Sequence, residues 1–225
     1  MALCNGAGVI SLKESNESKS HASMLTLFIE ELLNENGLRA GDLDAIAVSK
    51  GPGSYTGLRI GVSVAKGIAY AASIPLIGIA TTESMFRGIT GNPDFNQEEN
   101  TNTLFCPMLD ARRMEIYYAI YNAAGNTVKK ISAEIINENS FSNIPESEKI
   151  ILFGDGAEKC REVIKRTNTY FADDFRISAG HMHIPVIQAF NNRQYEDVAY
   201  FEPFYLKDFI TSVPVKNVFG NKPAK

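Results

Sequence analysis

The residues best suited to chemistry lie in a glycine-rich stretch at residues 51–61. An apolar run at 45–49 precedes it, and a helical pattern of small residues follows it through Ser73. A strand, a glycine-rich loop and a helix in this order can bind phosphate, because backbone N–H groups at the helix N-terminus face the anion. The loop residues are Gly51, Pro52, Gly53, Ser54, Tyr55, Thr56 and Gly57, and Arg59 follows one turn into the helix.

This loop completes neither of the two common nucleotide-binding motifs. A Walker loop ends in Gly-Lys-Ser/Thr, whereas Gly57 is followed by Leu58 and Arg59. A dinucleotide fingerprint would have its third glycine at the position of Thr56. Arg59 has two interpretations: an ion pair with a nearby acid such as Asp44 or Glu83, or a positive charge beside the loop for a phosphate or carboxylate.

The sequence offers no metal pair and no complete catalytic set. His181 and His183 are two residues apart and His21 is distant, whereas a helical metal pair needs a spacing of three or four. There is no HExxH motif and no convincing Ser/His/Asp combination. The cysteines lack metal or CxxC spacing, which is typical of reduced thiols in the cytoplasm; they are Cys4, Cys106 and Cys160.

A second group of charged residues, Asp110, Arg112 and Arg113, lies at a predicted tight turn between two strands. Charges at a turn are usually solvated turn residues. Asp155, which lies between two glycines, is interpreted as part of a strand-to-helix turn, with a nucleotide-site acid as the alternative.

The composition limits the classes of function. A chain of 225 residues with 44% hydrophobic residues can bury one large core or two smaller ones. Its net charge of −4 and the lack of a basic block argue against a protein that binds tRNA alone. The apolar stretch at 60–80 contains Lys66 and Pro75, and a lysine at the centre of a membrane helix costs about 3 kcal/mol, so no membrane span is predicted.

The pattern of the first half predicts the elements that position the loop. Asn5-Gly6 indicates a hairpin followed by a strand at 9–12. A first helix is predicted over about 20–36, with Ser20 as N-cap and Gly37 as C′ residue. The strand at 45–49, a second helix over about 56–73 and a strand at 76–79 follow, and then a short helix capped by Thr81 or Thr82.

A polar, turn-rich stretch at 91–102 predicts a domain boundary. The expected domains are residues 1–102, with the loop and both long helices, and residues 103–225, whose tail at 208–225 is free to pack back on the first domain. The second domain is predicted to contain strands near 103–109, 115–122, 127–136 and 149–153, and helices at about 157–167 and 181–193.

The second helix carries unusually small side chains. Each glycine inside a helix costs about 1 kcal/mol relative to alanine, so Gly57, Gly61 and Gly67 need a compensating contact. This contact is either the protein's own sheet or a helix of another subunit, for which the first helix offers matching bulk. The predicted partner surface comprises Met24, Leu25, Phe28, Ile29, Leu32, Gly57, Ile60, Gly61, Val64, Lys66 and Ile68.

Four stretches together resemble the bacterial TsaB (YeaZ) family. They are the loop at 51–61 with Val64-Ala65-Lys66-Gly67, Ser20-His21-Ala22, Leu109-Asp110-Ala111-Arg112-Arg113 with Glu115-Ile116-Tyr117, and Tyr205-Leu206-Lys207. The resemblance implies an α/β protein with the actin-like (sugar kinase/Hsp70-type) fold, built from two related subdomains. It also implies a cytoplasmic protein without a cofactor or an active site of its own.

The same resemblance implies a role in making threonylcarbamoyladenosine in tRNA, with a TsaD-like paralogue and a TsaE-like ATPase as partners. It favours the partner interpretation of the two helices, through which the isolated chain could also form a homodimer. It also implies a cleft between the domains, fixed by pairing of Asp110 with Arg112 and with Arg113 as a further candidate. The tRNA would be contacted only indirectly. Catalytic TsaD-type paralogues carry an HxxxH metal motif that residues 77–85 lack.

Two alternatives are a glycoprotease-like metallopeptidase and an autonomous ATPase of the actin-like fold. The first lacks a metal pair, and the second needs an acidic residue on a first strand that this chain lacks. TsaB-like chains begin upstream of the residue that corresponds to Ala2 and carry that strand. We therefore expect the natural chain to extend upstream and to pair this strand with the strand at 45–49, or another segment to fill the gap.

Overall fold

The computed structural model describes residues 1–15, 21–91 and 99–206, with the backbone alone at residues 21–23. The first half contains strands β1 (Ala2–Asn5), β2 (Gly8–Leu12), β3 (Ile46–Gly51) and β4 (Leu76–Ala80), and helices α1 (His21–Glu35), α2 (Tyr55–Ala72) and α3 (Thr81–Thr90). The second half contains strands β5 (Thr103–Asp110), β6 (Glu115–Asn122), β7 (Thr127–Ile135), β8 (Lys149–Phe153) and β9 (Thr169–Ala172), and helix α4 (His183–Asn191).

The strands β3 and β4 run parallel and lie between two layers of helix. On one face, α2 buries Val62, Ala65 and Ala69 against Leu76 and Phe201. On the other face, α4 buries Ala189 against Ile77 and Ile79. Parallel neighbours need a crossover connection, and α2 supplies it.

The second half is built on a five-stranded sheet in the order β7-β6-β5-β8-β9. The strands β7, β6 and β5 are antiparallel, while β5, β8 and β9 are parallel. One face of the sheet buries Met108, Ile116, Tyr118, Ile150 and Leu152 among other apolar side chains. The other face packs against α3 through Met85 and Phe86, so this helix joins the two halves of the protein.

Most of the predicted elements are confirmed to within one or two residues. Gly37 adopts a positive φ of 67°, and the Leu38 N–H donates to the Leu33 carbonyl oxygen at 2.9 Å, as expected after a helix C-terminus. The predicted N-cap Ser20 lies outside the described residues.

The prediction that Thr81 or Thr82 caps α3 is wrong. The N-cap is Ala80, which makes no side-chain capping hydrogen bond. The Thr81 hydroxyl instead lies 2.7 Å from that of Ser49 on β3, and the buried Thr82 hydroxyl lies 3.0 Å from that of Tyr121 on β6. Both hydroxyls therefore form hydrogen bonds between α3 and a strand, and neither caps the helix.

The predicted helix at 157–167 is also wrong, and the edge strand β9 was missed. Only one turn of 3₁₀-helix forms, at Glu158–Cys160, and the chain then turns back to pair Thr169–Ala172 with β8. The Arg166 guanidinium donates to the carbonyl oxygens of Pro145 and Glu148, both at 2.6 Å. These long-range contacts replace the helix that the local pattern favoured.

The strand pairing around β3 bears on the expected upstream strand. Within the described residues, β3 forms a ladder with β4 alone, and β1 and β2 form a separate antiparallel pair. Beyond these ladders, the Phe204 N–H donates to the Lys50 carbonyl oxygen at 2.6 Å, and Glu196 bridges to Leu76 on β4. The pairing of β3 with a further upstream strand stays a prediction.

None of the helices in the described ranges is both long and apolar enough to cross a membrane.

Substitution by alanine is expected to have opposite effects on stability at two glycines, Gly78 and Gly67. A Cβ at Gly78 on β4 would lie 2.6 Å from Glu196 Oε1 and 2.9 Å from the ring of Phe201, which is buried. A Cβ at Gly67 on α2 would meet nothing within 4 Å. We expect Gly78→Ala to destabilise the protein by about 1–3 kcal/mol and Gly67→Ala to stabilise it by about 1 kcal/mol.

Urea denaturation of both variants measures these free energies of unfolding. Equal stability of the two variants would contradict the close packing of Phe201 and Glu196 against β4.

Candidate functional site

The glycine-rich loop lies against the end of the described chain. Gly51 has a positive φ of 108°, a conformation that glycine adopts without strain. A Cβ at this position would lie 2.9 Å from the Phe204 carbonyl oxygen and 3.1 Å from a methyl group of Leu58. Glycine is needed at position 51 for the approach of another backbone segment of the same chain.

The first turn of α2 is capped by the loop itself. Ser54 is the N-cap residue, and its hydroxyl oxygen accepts a hydrogen bond from the Gly57 N–H at 3.3 Å. The Leu58 N–H donates to the Ser54 carbonyl oxygen at 2.8 Å. The serine thus satisfies one N–H that a bound phosphate would otherwise use. Pro52 is buried, Gly53 is half-buried and Thr56 is exposed.

Arg59 makes an interaction that neither sequence interpretation named. Its Nε donates to the Tyr205 hydroxyl at 3.3 Å, and its guanidinium lies 4.3 Å from the centre of the Tyr55 ring. The rings of Tyr55 and Tyr205 are 5.1 Å apart. Within the described ranges, no ion pair joins Arg59 to Asp44 or Glu83, because two tyrosines occupy the space beside the guanidinium.

Residues 196–206, hereafter the C-terminal segment, pack against the glycine-rich loop. Phe201 is buried in the core between α2 and the sheet. Lys66 on α2 donates to the carbonyl oxygens of Ala199 and Phe201, at 3.1 and 2.9 Å. Lys50 and Glu196 form an ion pair at 3.3 Å. The predicted surface residue Lys66 therefore anchors this segment.

The structure separates the predicted partner surface into an inner and an outer part. The helices α1 and α2 pack on each other, and Leu32 is buried. A Cβ at Gly61 would lie 3.6 Å from Val48 on β3, so Gly61 faces the protein's own sheet. The remaining predicted residues keep some exposure; Met24, Leu25, Phe28, Ile29, Ile60, Val64 and Ile68 are half-buried and Gly57 is exposed.

The exposed side of α2 carries Gly57, Gly67 and Tyr70. Tyr70 is 82% exposed, and Tyr200 in the C-terminal segment is 83% exposed. Tyrosine is enriched at protein-binding surfaces, because its ring supplies a large contact area. The sequence analysis missed these two tyrosines, although the Tyr205-Leu206-Lys207 motif marked the neighbouring segment.

The charged turn after β5 forms a small network. The backbone N–H of Arg112 donates a hydrogen bond to the Asp110 carboxylate at 2.8 Å. The ion pair of Asp110 is with Lys159, which also donates to the Glu115 carbonyl oxygen at 2.6 Å. Asp155 accepts from the Asp110 N–H at 3.1 Å. Arg112 and Arg113 both have positive φ, so the turn is tight and locally strained.

Lys159 determines the ionisation of Asp110. Its hydrogen bond to the carboxylate is the main reason that the pKa of Asp110 lies below the usual range. The turn therefore holds a carboxylate and a lysine in contact, with the backbone fixing both.

The side chains of His181 and His183 have separate neighbours. His183 Nε2 lies 2.8 Å from the Asn5 carbonyl oxygen, and His181 packs against Phe175 with its Nδ1 buried and unbonded. In the parts of the chain with described structure, no group of three histidine, cysteine or acidic residues could hold a metal ion.

Comparison with known proteins agrees with this architecture. The profile of the family "TsaD: tRNA N6-adenosine threonylcarbamoyltransferase" matches residues 14–200. The E. coli K12 protein "tRNA threonylcarbamoyladenosine biosynthesis protein TsaB" is 27% identical over 199 residues, which cover 84% of this chain and 82% of that protein. The chain belongs to the TsaB (YeaZ) family of the TsaD-like superfamily.

Two further similarities define the extent of this relationship. The solved structure "YeaZ from Pseudomonas aeruginosa" superposes with a TM-score of 0.72 at 21% identity and covers 91% of this chain and 92% of that one, which shows a shared fold. A tRNA N6-adenosine threonylcarbamoyltransferase from Bacillus subtilis is 45% identical, but only over 62 residues, which make up 28% of this chain and 18% of that enzyme.

The ion pair at the charged turn can be tested through the Asp110 pKa. We expect Lys159→Met to raise this pKa toward its ordinary value, since the main hydrogen-bond donor is lost. A depressed pKa stabilises the fold above the unfolded-state pKa, and the contribution is lost as pH falls through the folded-state pKa. The Asp110 side chain is 49% exposed, so solvent screening keeps the contribution below about 1 kcal/mol.

Carboxyl NMR titration measures this pKa directly. Lys165→Met is the matched control, because Lys165 is exposed and no hydrogen bond or ion pair joins it to the described residues. An unchanged Asp110 pKa in Lys159→Met would show that the ion pair does not persist in solution.

Proposed function

We propose that this protein is a non-catalytic subunit that supports the threonylcarbamoyladenosine modification of tRNA. The proposal rests on its membership of the TsaB family and on the relative named for threonylcarbamoyladenosine biosynthesis, which it matches over most of both chains. In this proposal the protein binds and activates a TsaD-like transferase in the cytoplasm, together with a TsaE-like ATPase.

The observation that carries the binding role is the accessible side of α2. Gly67 leaves open space above the helix, and Tyr70 lies one turn further along it with its ring in solvent. The buried side of the same helix already contributes Val62, Ala65 and Ala69 to the core. A partner helix can therefore bind α2 without any rearrangement of the fold.

The chemistry of the glycine-rich loop favours a scaffold over an enzyme. Ser54 caps the loop, Arg59 contacts two tyrosines, and Gly51 touches the C-terminal segment. Each of these residues, which could have bound phosphate, stabilises the surface next to α2 instead. We propose that the loop shapes a protein interface and that the two halves correspond to the two subdomains of an actin-like fold, divided at residues 91–102.

The charge of the chain supports an indirect role toward tRNA. A subunit with a net charge of −4 repels a polyanion unless a basic partner intervenes. We propose that the transferase holds the tRNA and that this subunit contacts only the transferase. In isolation, the same side of α2 is available for a homodimer.

A charge placed on α2 tests the interface. We expect Gly67→Glu to leave the fold intact, since the site has open space, and to weaken binding of a co-expressed TsaD-like transferase by about 2 kcal/mol or more. Gly6→Glu is the matched control, because Gly6 is also exposed with nothing within 4 Å but lies in the β1–β2 turn. Calorimetry and co-purification measure binding, and thermal unfolding checks the fold.

The proposed function is tested by the level of tRNA modification. Threonylcarbamoyladenosine in tRNA, measured by mass spectrometry in cells that depend on this protein, should fall with Gly67→Glu and stay unchanged with Gly6→Glu. Equal binding and equal modification with both variants would place the interface elsewhere. ATP hydrolysis or peptide cleavage by the purified chain alone would favour the ATPase or metallopeptidase alternative.

A further inference from the structure

A cavity of about 480 Å³ opens between α3, the β6–β7 hairpin and the C-terminal segment. Its volume falls in the range of small-molecule sites, which is about 300–1,000 Å³. Its lining does not include Gly51 and Arg59 of the glycine-rich loop region or Asp110 of the charged turn. The cavity is therefore a separate feature of the molecule.

Three charged side chains line this cavity, namely Glu83 and Arg87 on α3 and Lys130 on β7. Within the described residues, none of the three forms an ion pair within 4.0 Å. At the charged turn, by contrast, Lys159 and Asp110 form an ion pair. Two cations and one carboxylate without an ion-pair partner in the described residues therefore line the same cavity, and the Arg87 guanidinium lies 5.4 Å from the centre of the Phe86 ring.

Arg87 is the least satisfied of the three. Its Nε is buried and has no hydrogen-bond partner, although the guanidinium is one of the most strongly hydrogen-bonding groups in proteins. A buried donor without a partner costs about 1–3 kcal/mol. Such a cost is tolerated where a ligand supplies the missing acceptor, and a planar guanidinium suits a carboxylate or phosphate.

The backbone opposite Arg87 is shaped to leave room for it. Gly125, in the β6–β7 turn, has a positive φ of 85°. A Cβ there would lie 3.4 Å from an Arg87 terminal nitrogen and 3.3 Å from the Phe86 ring. The glycine allows the β6–β7 turn to pack closely against the guanidinium. The turn therefore helps to hold Arg87 at the cavity wall.

The rest of the lining is largely apolar and aromatic. Phe86, Tyr121, Ile131 and Phe204 contribute to it; the rings of Phe86 and Tyr121 are buried and stacked on each other, whereas Phe204 is 43% exposed. The Tyr121 hydroxyl is already paired with Thr82 at 3.0 Å, so the ring offers mainly its apolar surface. Aromatic walls favour a flat, aromatic body over an inorganic ion alone.

We propose that this cavity binds a small aromatic anion. The anionic group binds Arg87 and Lys130, the ring packs on Ile131 and the half-exposed Phe204, and Glu83 accepts a hydrogen bond from an N–H or O–H of the ligand. A nucleoside monophosphate and an aromatic carboxylate share this chemistry. The inference does not depend on the proposed function, because it uses neither α2 nor the glycine-rich loop.

Calorimetry or NMR titration of the full chain tests the proposal with three probes: adenosine monophosphate, phenyl phosphate and benzoate. We expect at least one of them to bind at millimolar concentration or below, and inorganic phosphate to bind more weakly. Tighter binding of adenosine monophosphate than of phenyl phosphate identifies the nucleotide class, and preference for benzoate identifies a carboxylate.

Two charge variants and one steric variant locate the site. Arg87→Met and Lys130→Met should each weaken binding about tenfold or more, as expected for the loss of a charge-assisted hydrogen bond. Thr127→Trp keeps every charge but fills the cavity mouth with an exposed strand residue, so it should block binding. Arg176→Met is the matched control, because Arg176 is exposed and outside the cavity.

Circular dichroism checks the fold of each variant. If Arg87→Met fails to fold, Lys130→Met and Thr127→Trp decide the question. Failure of all three probes to bind at millimolar concentration would overturn the proposal. Equal binding by the natural chain and the folded cavity variants would overturn it too, since the probes would then occupy another site.

Discussion

The contact between the C-terminal segment and the glycine-rich loop organises the first half of this protein. The Phe204 carbonyl oxygen passes so close to Gly51 that no side chain fits between them. Phe201 is buried beside Gly78, and Lys66 holds the carbonyl groups of the same segment. Residues far apart in the sequence thus complete one small core, and α2, β3 and β4 depend on it.

This contact also accounts for the glycine at position 51 of a loop whose sequence resembles a phosphate site. Phosphate-binding loops leave their N–H groups free and place a cation beside them. Here Ser54 caps the helix, and Arg59 lies between Tyr55 and Tyr205. Gly51 serves close packing within the chain, because the C-terminal segment passes directly against it.

The charges of the second half are distributed differently. At the turn after β5, Asp110 and Lys159 neutralise each other and fix the backbone. At the cavity beside α3, Arg87, Lys130 and Glu83 have no such partners in the described structure. Charges that pair within the protein stabilise a turn, whereas charges that remain unpaired beside aromatic side chains are available to a ligand.

The sequence by itself determined the longer elements and the family. The first helix, the strand at 115–122 and the glycine after the first helix were predicted from local signals, and each has the expected structure. The motif at 51–61 is specific enough to identify TsaB relatives. Only the tertiary structure decided the partners of Arg59 and Lys66, the use of Thr81 and Thr82, the replacement of a helix by β9, and the cavity at Arg87. These features depend on contacts between distant segments, and the energy of such contacts exceeds local propensity but leaves no periodic trace in the sequence.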